Sequence, residues 1–264
     1  ILGDQLQSLD TQIRQAGYTT VLGTHQYDPA QEVAALREQI TRAVDGIILH
    51  PTHQLGPELK ELIHSRFPMV TLNSLLPINT WNVSADRFKG GYLQMQYLLK
   101  IGRKKPLAIT PADPSPTATA KHNGRRRAMV EAGLDADAML THPLISAGDG
   151  NRMADGALTM TKILDAGLSF DAIITNSDTV AMGMMSTLHQ RGLRIPQDVA
   201  IIGFDDDPYA AYVTPSLTTI RQPRDLGLIA FELLVKQINA NLQDARLEPQ
   251  DITLQPELVV RQST

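Results

Sequence analysis

Short β-branched runs alternate with longer segments of helical spacing along this chain, and this alternation is what most constrains its fold. Between the runs, Val33, Leu36, Ile40 and Val44 recur at three- and four-residue steps, as on one apolar face of a helix. Several runs carry almost no polar residue, which is typical of strands covered on both faces of a parallel sheet. The sequence therefore predicts an α/β fold of βαβ units. The predicted strands are Tyr18–Leu22, Gly46–Leu49, Met69–Leu72, Leu107–Thr110, Ala172–Thr175 and Val199–Gly203.

The two ends of the sequence carry further predictions. At the C-terminus, Ile252–Leu254 and Glu257–Val260 are predicted to form an antiparallel tail. At the N-terminus, Ile1 lies inside a predicted helix, and Tyr18–Leu22 is then the second strand of a doubly wound sheet. Because the first strand of such a sheet lies near its middle, we expect a strand and its loop upstream, and hence a fragment.

Composition excludes several classes of function. A chain of 264 residues with a formal net charge of -4 has the length of one large domain or two smaller lobes but lacks the basic balance of a domain that neutralises many phosphates. Any contact with nucleic acid would therefore come from a segment outside this sequence. The chain has no cysteine, which excludes thiol catalysis and is compatible with a reducing cytosol. No apolar stretch approaches the roughly 18 residues of a transmembrane helix.

An ordered set of motifs covers the second half of the chain and resembles the LacI/GalR family of transcription regulators. The segment from Gly90 to Thr110 is similar to the family's helix that ends at a Gly-basic turn, and the terminal ELVVRQST is similar to its closing strand. The motifs between them are S-D-x-x-A-x-G (Ser177 to Gly183), R-I-P-x-D-V (Arg194 to Val199), I-G-F-D (Ile202 to Asp205) and P-x-L-T-T-I-x-Q-P (Pro215 to Pro223).

The resemblance implies a periplasmic-binding-protein-like fold (type I) of two Rossmann-like lobes with parallel sheets. An N-terminal lobe would comprise residues 1–84 and 223–249, and a C-terminal lobe residues 85–222 and 250–264. Three crossovers would join them, near Asn82–Asp86, Gln222–Arg224 and Leu247–Asp251. Family members dimerise through these lobes and carry a helix-turn-helix domain ahead of them, which this sequence lacks.

Candidate ligand residues follow strand ends, where ligands bind in open α/β sheets. Asp205 ends the strand VAIIGF, and the resemblance implies that its carboxylate accepts hydrogen bonds from the ligand. The alternative for Asp205 is a helix cap, with Asp206 and Asp207 solvated beside it. Asn73 follows the strand MVTL, where either a polar ligand contact or an Asx-turn is expected.

Two further candidates begin or lie on helices. Ser177 faces the ligand by resemblance, although it could equally cap its helix, and Asp178 is interpreted mainly as a cap. Lys121 stands three residues before the helix glycine Gly124, where the family pattern has an arginine. A lysine is a flexible point charge rather than a planar fork, so the effector is either gripped differently or loses this contact. The neighbouring run 125–127 is interpreted as a solvated helix face.

Gln222 and Trp81 complete the candidates, since both lie near predicted crossovers. Gln222 could contact the ligand or brace the backbone, and Trp81 could stack on a sugar or base or belong to the core. A metal site is not predicted, because His50 and His53 lack an obvious third ligand. No cofactor is predicted either, since Gly148 and Gly150 lack the G-x-G-x-x-G order of a phosphate loop.

The predicted function is effector sensing in a transcriptional repressor, without catalysis. The effector would be a sugar, a sugar derivative or a nucleoside that modulates binding of operator DNA by the absent helix-turn-helix domain. By resemblance the protein would be cytoplasmic and a homodimer, with no membrane association. The alternatives are a solute-binding protein of a sugar transporter, and an enzyme of doubly wound architecture, for which no convergent nucleophile and base are found.

Overall fold

The computed structural model describes residues 2–26, 28–52, 56–65, 67–75, 80–112, 115–245 and 247–264. The chain divides into two compact units. Unit 1 comprises residues 1–85 and 223–254, and unit 2 comprises residues 86–222 and 255–264. The chain therefore passes from one unit to the other three times, after Ala85, Gln222 and Leu254.

Helices and strands alternate along most of the described chain. The helices are α1 (Leu2–Gln15), α2 (Pro29–Thr41), α3 (Pro57–His64), α4 (Arg87–Lys100), α5 (Pro116–Glu131), α6 (Arg152–Asp165), α7 (Asp178–Gln190) and α8 (Leu226–Leu242). The strands are β1 (Ile47–Leu49), β2 (Met69–Leu72), β3 (Asn82–Ala85), β4 (Pro106–Thr110), β5 (Leu140–Pro143), β6 (Ala172–Ile174), β7 (Ala200–Ile202), β8 (Thr219–Arg221), β9 (Asp251–Leu254) and β10 (Glu257–Val259). Short 3₁₀ helices lie at Ala136–Ala138 and Pro208–Ala211.

Each unit has its own parallel sheet. The strand order is β1-β2-β3-β9 in unit 1 and β5-β4-β6-β7 in unit 2, and β8 and β10 form a separate antiparallel pair in unit 2. Strand β2 coincides with the predicted run Met69–Leu72, and the Asp28 carboxylate caps α2 by accepting hydrogen bonds from the amides of Ala30 and Gln31. The predicted α/β class with parallel sheets is confirmed.

The sheet of unit 2 is covered on both faces. On one face Ile173 and Ile201 pack against side chains of α6 and α7, and on the other Ile174 and Ile202 pack against α4 and α5. This alternation explains why these strands read as continuous apolar runs. The carboxyl ends of β4, β6 and β7 remain as the place where polar side chains can gather.

The prediction of a strand over Tyr18–Leu22 is wrong. These residues form no ladder, and Val21 and Leu22 are 47% and 67% exposed. A short apolar run becomes a strand only beside a neighbour that accepts its hydrogen bonds, and the described sheet of unit 1 begins at β1. The ring of Tyr18 instead meets Phe231 of α8 edge-on, with centroids 6.0 Å apart.

The predicted antiparallel tail is wrong as well. Strand β9 pairs in parallel with β3 in unit 1, whereas β10 pairs with β8 in unit 2. Residues 251–254 therefore lie in unit 1 and not in the predicted C-terminal lobe. The third passage between units falls after Leu254, later than the predicted crossover. The predicted crossover near Asn82–Asp86 contains strand β3, and the chain passes between the units after Ala85.

Within the part of the chain that the structure describes, no helix combines the length and the apolar character needed to cross a bilayer.

Candidate functional site

Asp205 follows β7 in an uncommon backbone conformation. Its φ is +111° and that of Asp206 is +55°, and positive φ values are uncommon for non-glycine residues, although aspartate adopts the region near +55° more often than most. The amide of Asp205 donates to the carbonyl of Ile220 at 2.8 Å, and this bond ties the loop to β8. The half-buried carboxylate is thus presented beyond the carboxyl end of the sheet in unit 2.

Gln222 lies beside this carboxylate. Its Nε2 donates to Asp205 Oδ1 at 3.4 Å, while its buried Oε1 has no hydrogen-bond partner among the described residues. A buried acceptor without a donor costs about 1–3 kcal/mol, so such groups call for an explanation. Asp205 and Gln222 together present acceptors that a hydroxyl-bearing ligand would satisfy.

Lys121 is also brought into this group. It lies on α5, is only 8% exposed, and its Nζ donates to the carbonyl of Asn176 at 3.0 Å. The same Nζ is 3.6 Å from the centroid of the Phe204 ring, in a cation–π contact. Burial lowers the pKa of Lys121 to about 7, against the opposing effect of Asp205, and Arg87 and Arg125 lower it further.

Burial shifts the pKa of Asp205, like that of Lys121, towards the neutral form, and the charge of the other residue opposes the shift. Burial raises the pKa of the Asp205 carboxyl, while the nearby cations Lys121 and Arg87 lower it. The Arg87 guanidinium carbon lies 6.0 Å from the Phe204 centroid. We call Asp205, Gln222, Lys121, Arg87 and Phe204 the Asp205 cluster. All five residues belong to unit 2.

Ser177, and not Asp178, is the cap of α7. The Oγ of Ser177 accepts from the amide of Val180 at 3.4 Å. Asp178 is buried, and its carboxylate accepts from Thr219 Oγ1 at 2.5 Å and from the amide of Asp207 at 2.8 Å. Burial raises the pKa of Asp178 to about 7. Asp178 is therefore a brace for the loop that carries Asp205, and a ligand role for Ser177 stays a prediction.

The two aspartates after Asp205 are not solvated. Asp206 is buried and forms ion pairs with Arg221 at 2.7 Å and with Arg261 at 2.6 Å. These bonds outweigh the effect of burial and keep the pKa of Asp206 below its usual value. Asp207 is buried too and accepts from the amide of Tyr209 at 2.9 Å. The loop after β7 is thus fixed from several sides.

Asn73 and Trp81 both lie in unit 1. Asn73 has a φ of +52°, and its Oδ1 accepts from the amide of Ala85 at 3.1 Å, so this side chain braces the end of β3. Trp81 is 7% exposed and belongs to the apolar core beneath α8, with the ammonium of Lys236 at 5.8 Å from its ring. Ligand roles for these two residues remain predictions.

The expectation that residues 125–127 form a solvated helix face is wrong for Arg125. This side chain is 1% exposed and donates to Gln94 Oε1 at 2.8 Å and to Asn176 Oδ1 at 2.7 Å. Gln94 in turn donates to the carbonyls of Thr175 and Gly203 at 3.0 and 2.6 Å. The signal was present in the sequence, because Lys121, Arg125 and Ala128 share the buried face of α5 at helical spacing.

Arg125 holds Asn176, whose carbonyl accepts from Lys121. The guanidinium therefore connects α4, α5 and the end of β6 directly behind the Asp205 cluster. Burial lowers the pKa of Arg125 to about 9, so it is still a cation at neutral pH.

Metal ligation finds no support in the described part of the chain. There the side chains of His, Asp and Glu form no group of three that could hold a metal ion. His50 is described, and its carbonyl lies 2.9 Å from His25 Nε2, while His53 is outside the described residues.

The chain is similar to proteins of known family. The model of a periplasmic binding protein-like domain matches residues 95–264. The HTH-type transcriptional repressor PurR of Klebsiella pneumoniae (strain 342) is 31% identical over 262 residues, which are 98% of this chain and 74% of that protein. The repressor of the same name from Escherichia coli O127:H6 is equally similar, at 31% identity over 262 residues, again 98% of this chain and 74% of the relative.

Solved structures agree with this result. A regulatory protein of the LacI family from Chloroflexus aggregans is 29% identical with a TM-score of 0.82, covering 100% of this chain and 92% of that one. A periplasmic binding protein/LacI transcriptional regulator from Alkaliphilus metalliredigens, complexed with D-xylulofuranose, is 25% identical with a TM-score of 0.83, covering 99% and 93%. The fold is therefore periplasmic-binding-protein-like, and the chain belongs to the LacI/GalR family of transcriptional regulators.

Proposed function

We propose that this chain senses a small, hydroxyl-rich effector for a transcriptional repressor, and that the Asp205 cluster makes the polar contacts to it. The observation that carries the proposal is the pairing of Asp205 with Gln222. The Oε1 of Gln222 is buried without a donor, and the carboxylate beside it can accept further hydrogen bonds. Adjacent hydroxyls of a sugar, a sugar derivative or a nucleoside would supply those donors.

Two further observations support a ligand of this kind. The positive φ of Asp205 is held by Ile220, Asp178 and the ion pairs of Asp206, and such over-determined strain gathers at binding sites. The related regulator of Alkaliphilus metalliredigens was crystallised with D-xylulofuranose. A furanose is compatible with the predicted class of sugars and nucleosides.

The rival functions have less support. A transporter's solute-binding protein shares this fold, but the curated relatives are repressors that match over 98% of this chain. An enzyme would need a nucleophile with its base or a cofactor loop, and the Asp205 cluster offers neither. We therefore propose a binding domain without catalytic activity.

Regulation would follow from differential affinity. An effector shifts a conformational equilibrium only as far as it binds one conformation better than the other. We propose that this shift alters operator binding by a helix-turn-helix domain of the whole regulator, in the cytoplasm and as a homodimer. Sedimentation of the protein at high concentration tests the dimer, and a monomer there would count against it.

A thermal-shift screen against sugars, polyols, sugar acids, sugar phosphates, nucleosides and purines tests the proposed function. A ligand at about 100 times its dissociation constant stabilises a folded protein by roughly 2.7 kcal/mol, which a melting curve resolves. We expect one chemical class to raise the melting temperature. A folded protein that responds to no member of the panel would refute effector sensing by this site.

A further inference from the structure

Two polar side chains, Gln94 of α4 and Arg125 of α5, are buried against each other in unit 2. They are 0% and 1% exposed. Arg125 donates to Gln94 Oε1 from Nε at 3.1 Å and from a terminal guanidinium nitrogen at 2.8 Å. Taking an amide and a guanidinium out of water costs free energy that an apolar pair of similar shape would not cost. A polar pair at this place therefore indicates a role that apolar packing does not provide.

The side-chain amide of Gln94 uses every one of its hydrogen-bonding positions. Its Nε2 donates to the carbonyl of Thr175 at 3.0 Å and to the carbonyl of Gly203 at 2.6 Å, while its Oε1 accepts the two bonds from Arg125. A side-chain amide has two donors and two acceptor positions, so it is fully satisfied. Because a guanidinium only donates, Arg125 fixes which side of the amide faces the two carbonyls. We call Gln94 and Arg125 the clip.

The two carbonyls that the clip binds lie just beyond the paired part of β6 and β7. The last paired residues of these strands are Ile174 and Ile202, so Thr175 and Gly203 are each one residue farther along the chain. From there one strand leads into α7 and the other into the loop after β7. The clip thus joins the two strand ends at the point where they continue into different elements.

Both strand ends lead directly to the candidate site. Gly203 is two residues before Asp205, and Thr175 is two residues before the cap of α7. Arg125 also donates to Asn176 Oδ1 at 2.7 Å, so it holds the residue between Thr175 and that cap. Since neighbouring Cα atoms are a fixed distance of about 3.8 Å apart, a change in the separation of the strand ends must move Asp205 relative to the start of α7.

We propose that Gln94 and Arg125 are positioning residues of the effector site. The clip holds the ends of β6 and β7 at the separation at which the Asp205 loop and the start of α7 bind the effector. Neither side chain contacts the effector, because both are buried behind the strand ends. This proposal rests on the proposed function, since it concerns the affinity of that same site. Residues that support a binding site in this way set its affinity through the groups they orient.

The variant Gln94→Glu tests the clip with almost no change of shape. The carboxylate still accepts from Arg125, but it has no N–H to donate to the carbonyls of Thr175 and Gly203. Affinity is measured by calorimetric titration with D-ribose, D-xylulose and adenosine, and with any further compound that the thermal-shift screen identifies. We expect Gln94→Glu to bind about tenfold or more weakly than the wild type to each compound that the wild type binds.

Two control variants separate positioning from a general loss of stability. Gln96→Glu makes the same substitution two residues along α4 at an exposed side chain, and it should bind like the wild type. Ile163→Val loses a buried methylene group from the apolar core on the opposite face of the sheet, so it is destabilised without touching the clip. It should keep wild-type affinity while it is folded. If affinity falls in Ile163→Val as it does in Gln94→Glu, a purely structural role explains both and the proposal is overturned.

A double variant keeps the test open if Gln94→Glu does not fold. Arg125→Met leaves Gln94 Oε1 without its donor, whereas Gln94→Leu combined with Arg125→Met removes both polar groups together. The double variant should regain part of the stability that Arg125→Met loses in urea unfolding. Its affinity should stay low, because the donors to the two strand ends are still missing. Wild-type affinity in the double variant would overturn the proposal.

Amide hydrogen exchange gives a readout that needs no ligand. The amide of Asp205 donates to the carbonyl of Ile220 and reports on how firmly the loop after β7 is held. Loss of the clip should speed exchange at this amide severalfold in Gln94→Glu, and Gln96→Glu should leave it unchanged. Wild-type exchange at Asp205 in a folded Gln94→Glu variant would overturn the proposal whether or not a compound binds.

The outcomes distinguish this proposal from the proposed function. If Gln94→Glu binds with wild-type affinity, the positioning role is overturned and effector sensing stands. If the folded wild type binds no compound of the titration or of the wider screen, effector sensing is overturned and the positioning role falls with it.

Discussion

Each unit holds a non-glycine residue in a left-handed conformation just after a strand of its parallel sheet, but the two are stabilised by different chemistry. Asn73 in unit 1 has a φ of +52° and bonds to the amide of Ala85. Asp205 in unit 2 has a φ of +111° and lies among Lys121, Arg87 and the buried Asp178. A neutral amide braces one strand end, whereas buried charges surround the other.

The hydrogen-bond network near Asn73 is centred on the neutral side chain of Asn82. Asn82 Oδ1 accepts from Thr71 Oγ1 at 3.1 Å and from the amide of Ser74 at 3.2 Å, and its Nδ2 donates to Asp251 at 2.9 Å. Such a network satisfies its own members and leaves little for a ligand to add. Unit 2 differs in this respect, because among the described residues the buried Oε1 of Gln222 beside Asp205 has no donor.

The largest expected loss of stability comes from disrupting the contact between α4 and α5 in unit 2. A methyl group added at Gly91 of α4 would overlap the carbonyl of Lys121 on α5, so Gly91→Ala must push the two helices apart. We expect a loss of about 3 kcal/mol in the free energy of unfolding, measured with urea. Gly227→Ala on α8 of unit 1 is the control, because there the added methyl meets only the flexible side chain of Leu9 at 3.0 Å. Equal losses of unfolding free energy in the two variants would contradict a tighter helix contact at Gly91 than at Gly227.

A smaller loss is expected when the cation behind the Asp205 cluster is removed. Arg125→Met leaves the buried oxygens of Gln94 and Asn176 without their donor, at a cost of about 2 kcal/mol in urea unfolding. Arg127→Met removes an exposed pair with Glu131 on the same helix and should change stability by less than about 0.5 kcal/mol. If Arg125→Met proves as stable as Arg127→Met, the buried network contributes nothing measurable.

Stability should depend on pH through the charges of unit 2. Burial raises the pKa of Asp178 to about 7, so the folded protein retains a proton that the unfolded chain releases, and this contribution to stability is lost as the pH rises from about 4 to about 7. Burial lowers the pKa of Lys121 to about 7, so stability is regained as the pH rises from about 7 towards about 10.

Urea unfolding at about pH 5, 7 and 9 checks both signs. The stability difference between the wild type and Asp178→Asn should decrease from pH 5 to 7, and that between the wild type and Lys121→Met should increase from pH 7 to 9. Differences that stay constant over these ranges would contradict the shifted pKa values.

The smallest effect is expected in unit 1, at the only tryptophan. Because Trp81 is 7% exposed in the core beneath α8, its emission should be blue-shifted and poorly quenched by acrylamide. Addition of the effector should change quenching little. A large, saturable change in Trp81 emission would support stacking on the ligand and would place part of the recognition in unit 1.

The fold was predictable wherever local chemistry decides it. Asp28 before Pro29 marks a helix start, and the run Met69–Leu72 reads as a buried strand from its own residues. The prediction failed where partners distant in sequence decide. Residues 18–22 lack a neighbouring strand, and β9 and β10 are adjacent in sequence but pair with strands of different units.

The candidate site, too, contains features that the sequence predicts and contacts that it does not. The motif around Asp205 and the lysine at position 121 are visible in the sequence, and helical phase alone could have placed Arg125 on the buried face of α5. The bond between Asp178 and Thr219 joins residues 41 positions apart, and the orientation of Gln222 towards Asp205 depends on the path of β8. Such contacts depend on the packing of whole elements, which a single sequence does not specify.

The most direct test of the proposed site is the calorimetric affinity of Asp205→Asn for the effector that the thermal-shift screen identifies. Asp165→Asn, at the exposed end of α6, is the matched control. If Asp205 accepts hydrogen bonds from the ligand, Asp205→Asn should bind about tenfold or more weakly while it stays folded, and Asp165→Asn should bind like the wild type. Wild-type affinity in a folded Asp205→Asn variant would show that the ligand site lies elsewhere in the molecule.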